Sequence, residues 1–537
     1  MAFAADARSQ PDPVPDFDPQ AVIDAIPRDY NFAEDILTRN LNAGRANKRV
    51  FVDPRGSWTY GQLADRAERF GQVLRSLGVR REERILLCLL DTIDWPTAFL
   101  GAIKAGVIAV PVNTLLTEDD YRFMLADSRA RLLVVSEALY PKFANLIKTA
   151  PDLEHVIVSG ENAHGHHRFE DLIGKARGES YTAPSKCDDM CLWLYTSGST
   201  GKPKGAVHVH SDLRLVNDLY AANTLGLEED DVCYSVAKLF FAYGLGNALI
   251  FPMSVGATTV LNPERPTPDG VAAILKKHSV TVFYAVPTFY AAFLASAAAP
   301  QTTEVKFRRC VSAGEALPPD IGRRWVERYG VDILDGIGST EMLHIFLSNR
   351  PGDVKYGTSG KAVPGYKLRI VGDDGLPVKP GDMGELHVRG PTSAVLYWNN
   401  RAQSRATFLG EWTRSGDKYT LDADGYYVYC GRADDMLKVS GLYVSPFEVE
   451  GALQTHPDVL EAAVVAWCDE QKLIKPKAFV VLKSPDKAGD GMAKALQEHV
   501  KHALAPYKYP RWIEFRTELP KTATGKIQRF KLRAESF

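Results

Sequence analysis

The chain has 537 residues, 45% of them apolar and 24% charged, which suits an ordinary globular protein but is too long for one compact core. Its 64 basic and 66 acidic side chains leave a formal charge of -2, so no global field draws it to nucleic acid or to anionic lipid. No apolar stretch approaches the roughly 20 residues that span a bilayer, and a multidomain enzyme with neither nucleic acid nor membrane as a partner is expected.

The first 28 residues hold Pro11, Pro13, Pro15 and Pro19 among five aspartates. They lack the basic start and apolar run of a signal peptide, so a flexible arm over 1–28 and a cytoplasmic location are expected. Residues 60–77 have the spacing of an amphipathic helix, and 84–90 read as a buried strand. The helix-to-strand rhythm repeats through 100–112, 132–135, 155–158, 281–294 and 333–337, as expected for mainly parallel sheets wrapped by helices. Beyond Gly357 the texture changes: Gly365, Gly372, Gly375, Pro377, Pro380, Gly381 and Gly384 punctuate short alternating runs such as 385–389. Antiparallel hairpins, forming a small β-barrel-like subdomain, are expected there. From Glu448 a helix, strands at 462–467 and 477–481 and a helix at 492–504 read as a small mobile α+β domain. The expected division is an α/β domain over 29–431, a hinge at 432–434 and a C-terminal domain over 435–537. The seven cysteines, Cys88, Cys187, Cys191, Cys233, Cys310, Cys430 and Cys468, are odd in number and dispersed, so reduced thiols, mostly buried, are expected.

The densest signal is Tyr195-Thr-Ser-Gly-Ser-Thr-Gly-Lys-Pro-Lys-Gly205, directly behind the apolar segment 190–194. Its glycines, Gly198 among them, let the backbone turn its N–H groups toward an anion. Thr196, Ser197, Ser199 and Thr200 add hydroxyl donors, and Lys202 and Lys204 add positive charge. A phosphate cradle is the reading, although no G-x-x-x-x-G-K-[ST] spacing runs through it and it is not a Walker A loop.

This loop resembles that of the acyl-adenylate-forming superfamily of acyl-CoA synthetases, luciferases and peptide-synthetase adenylation domains. The resemblance continues in order through Ser312-Ala-Gly-Glu-Ala316, Asp335-Gly-Ile-Gly-Ser-Thr-Glu341, Ser415-Gly-Asp417, Gly431-Arg-Ala-Asp-Asp-Met-Leu-Lys-Val-Ser-Gly441 and Pro520-Lys-Thr-Ala-Thr-Gly-Lys526. It implies a two-step ligase that uses ATP, Mg²⁺ and coenzyme A: a carboxylate attacks the α-phosphorus, and the acyl group then passes to a thiol. By the resemblance Glu341 binds Mg²⁺, Thr340 contacts the α-phosphate, and Asp417 accepts from the ribose hydroxyls with help from Arg432. Gly314, Glu315 and Ala316 flank the adenine, Asp335 accepts from its exocyclic amine, and Gly336 and Ile337 complete that wall. Ile337 departs from the aromatic residue many relatives place against the base. Lys526 would hold the acid's carboxylate during adenylation. Asp434 would be the pivot of the small domain, bringing Lys438, Ser440 and Gly441 over the site to shape the coenzyme A channel.

Ala237-Lys-Leu-Phe-Phe-Ala-Tyr-Gly-Leu-Gly-Asn247 matches the family region lining the acid pocket, and Gly338 with Met342-Leu-His-Ile-Phe346 matches the opposite wall. No Asp stands between Val236 and Ile250 to pair an α-ammonium group. Ala242, Tyr243, His344 and Ile345 offer an apolar slot with one polar tip, suited to a flat ring. Both strings resemble the benzoate:CoA ligase subgroup, which includes hydroxybenzoate and aminobenzoate relatives, so a small aromatic acid is the expected substrate. A medium-chain acid is the alternative within the class. A carrier-protein-loading adenylation module and an inactive nucleotide-binding protein are the alternatives outside it. The sequence ends soon after Lys526 without a carrier domain, which favours free coenzyme A. A homodimer, and a lysine acetyltransferase and deacetylase acting on Lys526, are the expected macromolecular partners.

Overall fold

The computed structural model describes residues 17–197, 203–433, 435–439, 442–469, 473–521 and 527–534. Two large sheets carry the N-terminal part. One orders its strands Leu396–Tyr397, Pro203–Val209, Met190–Ser197, Ile108–Pro111, Arg84–Cys88, Leu132–Ser136, His155–Ser159 and His167–Arg168. The other runs from Lys361–Ala362 through Ile345–Ser348, Ile333–Gly338, Arg309–Ser312, Val282–Ala285, Val232–Ser235, Thr258–Val260 and Arg49–Asp53 to Gly56–Thr59. Both are parallel in the middle and antiparallel only toward their edges. The central strands are buried on both faces, as Leu132–Ser136 is at every position, which is why they read as continuous apolar runs.

Helices cover these sheets where the chain supplies caps and apolar stripes. Tyr60–Ser76 opens with a reciprocal Thr59–Gln62 capping box and buries Leu63, Ala67, Phe70, Val73 and Leu74 along one face. Asp94–Lys104 is buried on every side, and the two helices meet at Gly101. A Cβ on Gly101 would lie 2.6 Å from the Ala67 carbonyl oxygen and 2.9 Å from the Phe70 Cβ.

The glycine-punctuated region forms the expected hairpins as a five-stranded antiparallel sheet. Lys367–Val371 pairs with Gly384–Arg389, which pairs with the long strand Trp412–Leu421. Phe408–Leu409 joins the beginning of that strand and Tyr427–Arg432 its end. The C-terminal part follows as a hairpin, Leu437–Val439 with Leu442–Val444, and a three-stranded sheet of Val459–Cys468, Ile474–Leu482 and Trp512–Phe515. Helices Pro446–Gln454 and Asp490–Ala503 add Val449, Leu453, Leu496 and Val500 to a core separate from that of the large sheets. The architecture is thus a large α/β domain of mainly parallel sheets with a smaller α+β domain behind it.

One detail differs from the sequence expectation. Within 1–28, Pro19–Asp24 is a helix capped by Asp18, and Phe17, Val22, Ile23 and Ile26 pack on the large core. Four apolar side chains within ten residues outweigh the surrounding prolines and aspartates. Of the seven cysteines, all free, Cys88, Cys191, Cys233 and Cys310 are buried, while Cys187, Cys430 and Cys468 are only half-buried. Among the described residues no helix is long and apolar enough to cross a membrane.

Gly101→Ala tests the helix contact. Ala would gain about 1 kcal/mol of helix propensity, but the backbone carbonyl of Ala67 cannot move aside as a side chain can, and overpacking costs about 1–3 kcal/mol. The variant is expected to melt at a lower temperature than the parent by calorimetry.

Candidate active site

The carboxyl ends of two adjacent parallel strands, Arg309–Ser312 and Ile333–Gly338, open the site, where α/β sheets place ligands. Asp335 is buried in the second strand. Its Oδ2 accepts from the Leu317 N–H at 3.3 Å, which folds the segment Ala313, Gly314, Glu315 and Ala316 over it. Gly314 has φ +95, a conformation that favours glycine. Asn349 clamps the Asp335 carbonyl with both its backbone and side-chain N–H, at 2.9 and 3.0 Å. Asp335 Oδ1 has no partner among the described residues. Burial pushes this carboxyl up to about 8, against weaker lowering by Ser312 and nearby backbone N–H groups.

Gly336 and Gly338 are dictated by the return strand Ile345–Ser348. A Cβ at Gly336 would stand 2.8 Å from the Leu347 carbonyl oxygen, and one at Gly338 would stand 2.5 Å from that of His344. Ile337 lies between them, half-buried against the large core.

Beyond Gly338 the chain makes a tight turn, Thr340–Met342, capped by the Ser339 hydroxyl on the Met342 N–H at 3.2 Å. All three of its carbonyls are held from outside. His208 Nε2 donates to Thr340 O at 2.8 Å, the Ala394 N–H to Glu341 O at 2.7 Å, and the Thr392 hydroxyl to Met342 O at 2.8 Å. His208 is itself fixed by Asp212, whose Oδ2 lies 2.8 Å from Nδ1 and also accepts from the Val209 N–H at 3.2 Å. The Glu341 carboxylate accepts from the Tyr397 hydroxyl through Oε1 at 2.6 Å. No group of three or more His, Cys, Asp or Glu side chains able to hold a metal stands together among the described residues.

His208 and Tyr397 tie this turn to the phosphate-cradle sequence. Met190–Ser197 and Pro203–Val209 form an antiparallel hairpin with Thr196 opposite Lys204, and Leu396–Tyr397 pairs onto its outer strand. Lys204 Nζ sits 4.5 Å from the centre of the Tyr397 ring. Gly198, Ser199 and Thr200 lie outside the described residues, as does the side chain of Ser197.

The antiparallel sheet brings a further pair: Arg432 donates to Asp417 Oδ1 at 3.1 Å and to the Ser415 carbonyl at 3.2 Å. Tyr419 is buried in the same strand as Asp417, and its hydroxyl lies 3.0 Å from that of Ser359. Asp434, Ser440, Gly441 and Lys526 lie outside the described residues. Lys438 is on the strand Leu437–Val439, paired with Tyr443, and its side chain is outside them as well.

The predicted acid-pocket residues do converge. The Tyr243 hydroxyl donates to the Ala285 and Val311 carbonyls at 3.3 and 3.2 Å, so it anchors the ring to the sheet ends. His344 Nε2 donates to the Tyr243 carbonyl at 3.2 Å, with the two rings 5.6 Å apart. Burial holds the imidazole down to about 3 and therefore neutral. Its Nδ1 has no partner among the described residues. A Cβ on Gly246 would meet the His344 ring at 2.4 Å, which shows how closely that wall is packed. Ile345 pairs with Gly338 and is fully buried, while Ala242 is half-buried beside Tyr243. Sequence reasoning missed Asp212, His208, Asn349 and Tyr397, none of which stands in a motif that could have found them.

Family models for the AMP-binding enzyme and for its C-terminal domain match residues 38–398 and 448–526. The chain belongs to the AMP-binding enzyme family. It is 59% identical to a benzoate–CoA ligase of Thauera aromatica, over 95% of this chain and 97% of that one. It is 50% identical to a 4-hydroxybenzoate–CoA/benzoate–CoA ligase of Rhodopseudomonas palustris, over 94% of each. Among solved structures, a benzoate CoA ligase from Burkholderia xenovorans LB400 superposes with a TM-score of 0.88 at 52% identity, covering 94% of this chain and 100% of that one. An anthranilate CoA ligase in complex with anthranoyl-AMP gives 0.91 at 46% identity, covering 96% and 98%.

The raised Asp335 carboxyl has a testable sign. Its folded value near 8 lies above the ordinary carboxylate range, so between about pH 4 and 8 the unfolded chain sheds a proton that the folded chain keeps. Stability from this group is full below that window and falls as pH rises through it. Melting curves of the parent and Asp335→Asn should converge near pH 4, with the variant gaining relative stability toward pH 8. A pH-independent difference would contradict the assignment.

Proposed function

We propose that this chain is an ATP-dependent benzoate:CoA ligase. A benzoate oxygen attacks the α-phosphorus of ATP, pyrophosphate leaves, and benzoyl-AMP forms. The thiol of coenzyme A then attacks the benzoyl carbonyl and AMP departs with the oxygen that came from benzoate. The observation that carries the reading is the 59% identity to a benzoate–CoA ligase across nearly the whole of both chains.

Each part of the site takes a role in this reading. Asp335 Oδ1, buried without a protein partner, suits the exocyclic amine of adenine, with Gly314, Glu315, Ala316, Gly336 and Ile337 around the base. Asp417, oriented by Arg432, is placed to take the ribose hydroxyls. Thr196, Ser197, Gly198, Ser199, Thr200 and Lys204 serve the phosphates. Thr340 would contact the α-phosphate, and Glu341 would hold Mg²⁺, which would supply positive charge against the phosphates. Lys526 orients the acid's carboxylate and stabilises the charge developing during transfer. Asp434 is the pivot, and Lys438, Ser440 and Gly441 border the coenzyme A channel in the second step.

Ala242, Tyr243, Gly338, His344 and Ile345 form the acid slot. With the Tyr243 hydroxyl engaged and His344 neutral, the walls present aromatic and aliphatic surface without charge, which suits an unsubstituted ring. The unpartnered His344 Nδ1 is the feature that would favour a hydroxy- or aminobenzoate instead. A cytoplasmic location, a homodimer and control by acetylation of Lys526 complete the reading. Light scattering of the full chain tests the dimer. Mass spectrometry of the native protein, before and after deacetylase treatment, tests the modification.

Benzoate-dependent pyrophosphate release, measured with and without coenzyme A, separates a CoA ligase from a carrier-loading module and from an inactive nucleotide-binding protein. The expected result is one turnover without coenzyme A and continuous turnover with it. Lys526→Ala should lower adenylation by about 100–1,000-fold while sparing thioester formation from supplied benzoyl-AMP, and an equal loss of both steps would contradict the assignment. Ala242→Val should crowd the ring by about 1–3 kcal/mol and reduce kcat/KM for benzoate roughly 5–150-fold. Octanoate or a substituted benzoate outranking benzoate in the parent would overturn the substrate.

A further inference from the structure

We propose that Tyr397 is a positioning residue for the metal-binding carboxylate, holding one oxygen of Glu341 so that the other is presented to a divalent cation. The inference rests on the reading of Glu341 as the Mg²⁺ ligand and names the residue that sets its orientation.

The Tyr397 hydroxyl donates to Glu341 Oε1 at 2.6 Å, a short bond strengthened by the carboxylate's charge. Oε2 has no partner among the described residues. The backbone of Glu341 is already fixed, because its carbonyl accepts from the Ala394 N–H at 2.7 Å and the preceding carbonyl accepts from His208. What remains free in Glu341 is rotation of its side chain, and the tyrosine hydroxyl stops that rotation at one value.

Tyr397 can do this because it is itself immobilised. It is 3% exposed and pairs with Ala206 on the strand Pro203–Val209. Its N–H donates to the Ser404 hydroxyl at 2.9 Å, and its ring packs 5.2 Å from that of Phe408. The face of the same ring lies under Lys204 Nζ at 4.5 Å, within cation–π range. One side chain therefore connects a phosphate-loop lysine to the carboxylate across the site, so a cation on Glu341 and phosphates at Lys204 are set at a fixed spacing. Mg²⁺ demands near-ideal octahedral geometry. A carboxylate oriented by an outer hydrogen bond meets that demand better than one free to swing, and loss of such a partner typically weakens metal binding about 10–100-fold.

Mn²⁺ is the probe. It is titrated into the full chain saturated with ATP and without acid, and free Mn²⁺ is read by electron paramagnetic resonance for the parent, Tyr397→Phe and Glu341→Gln. Phe keeps the ring beneath Lys204 and removes only the hydroxyl, so the variant should fold and keep its metal-free ATP affinity while Mn²⁺ half-saturation rises about 10–100-fold. Glu341→Gln should raise it at least as far. An unchanged Mn²⁺ titration in Tyr397→Phe, with Glu341→Gln weakened, would overturn the proposal and leave Glu341 as the ligand. Unchanged titrations in both variants would remove Glu341 from the metal site and the proposal with it.

Discussion

The turn Thr340–Met342 is the constraint on which the arrangement around Glu341 depends, and it is held by donors from distant parts of the chain. Each of its three carbonyls accepts a hydrogen bond from outside the turn, from His208, Ala394 and Thr392. The chain leaves it through Leu343 at φ +65, buried and without the tolerance of a glycine. A backbone conformation of this kind costs about 1–3 kcal/mol and persists where the surroundings over-determine it. Here they do, and the strained exit leads directly into His344 and Ile345, just after Glu341. One turn thus fixes Glu341 relative to His344 and Ile345.

His208 shows how this fixing is achieved electrostatically. A carbonyl only accepts, so the ring nitrogen facing Thr340 carries the proton. The other nitrogen meets Asp212, which also takes the Val209 N–H. Burial raises the Asp212 carboxyl, while His208 and that N–H oppose the rise. Neither group reaches solvent, and the pair, placed on and just beyond the strand leaving the phosphate loop, locks that strand to the turn. Asn349 acts in the same way on the other side, pinning the Asp335 carbonyl with two N–H groups. The site is built from carboxylates whose backbones are fixed by amides and imidazole before any ligand arrives, which is the preorganisation that charge development in phosphoryl transfer requires.

Periodicity alone revealed the alternation of buried strands and covering helices, because parallel strands buried on both faces leave short continuous apolar runs between helix patterns. The motifs carrying Asp335, Glu341 and Asp417 were legible because their glycines and turn residues sit at fixed local spacings. His208 and Tyr397 were not. Their partners are 132 and 56 positions away, and a histidine on a strand or a tyrosine after a loop has no local signature that separates it from core packing. The helix Pro19–Asp24 was hidden for the opposite reason: prolines and aspartates dominated its local composition, while Val22, Ile23 and Ile26 were stabilised by a core formed hundreds of residues later. The convergence of Ala242, Tyr243, Gly338, His344 and Ile345 was expected from resemblance. The structure adds that the Tyr243 hydroxyl is spent on sheet carbonyls and that His344 is neutral.

The central claim is that the site brings a carboxylate oxygen onto the α-phosphorus of ATP. Its most direct test is turnover of benzoate labelled with ¹⁸O in both carboxyl oxygens, followed by mass spectrometry of the products. Attack at the α-phosphorus predicts one ¹⁸O in AMP, one retained in the benzoyl thioester and none in pyrophosphate. Label in orthophosphate together with ADP would mean attack at the γ-phosphorus and would contradict the account.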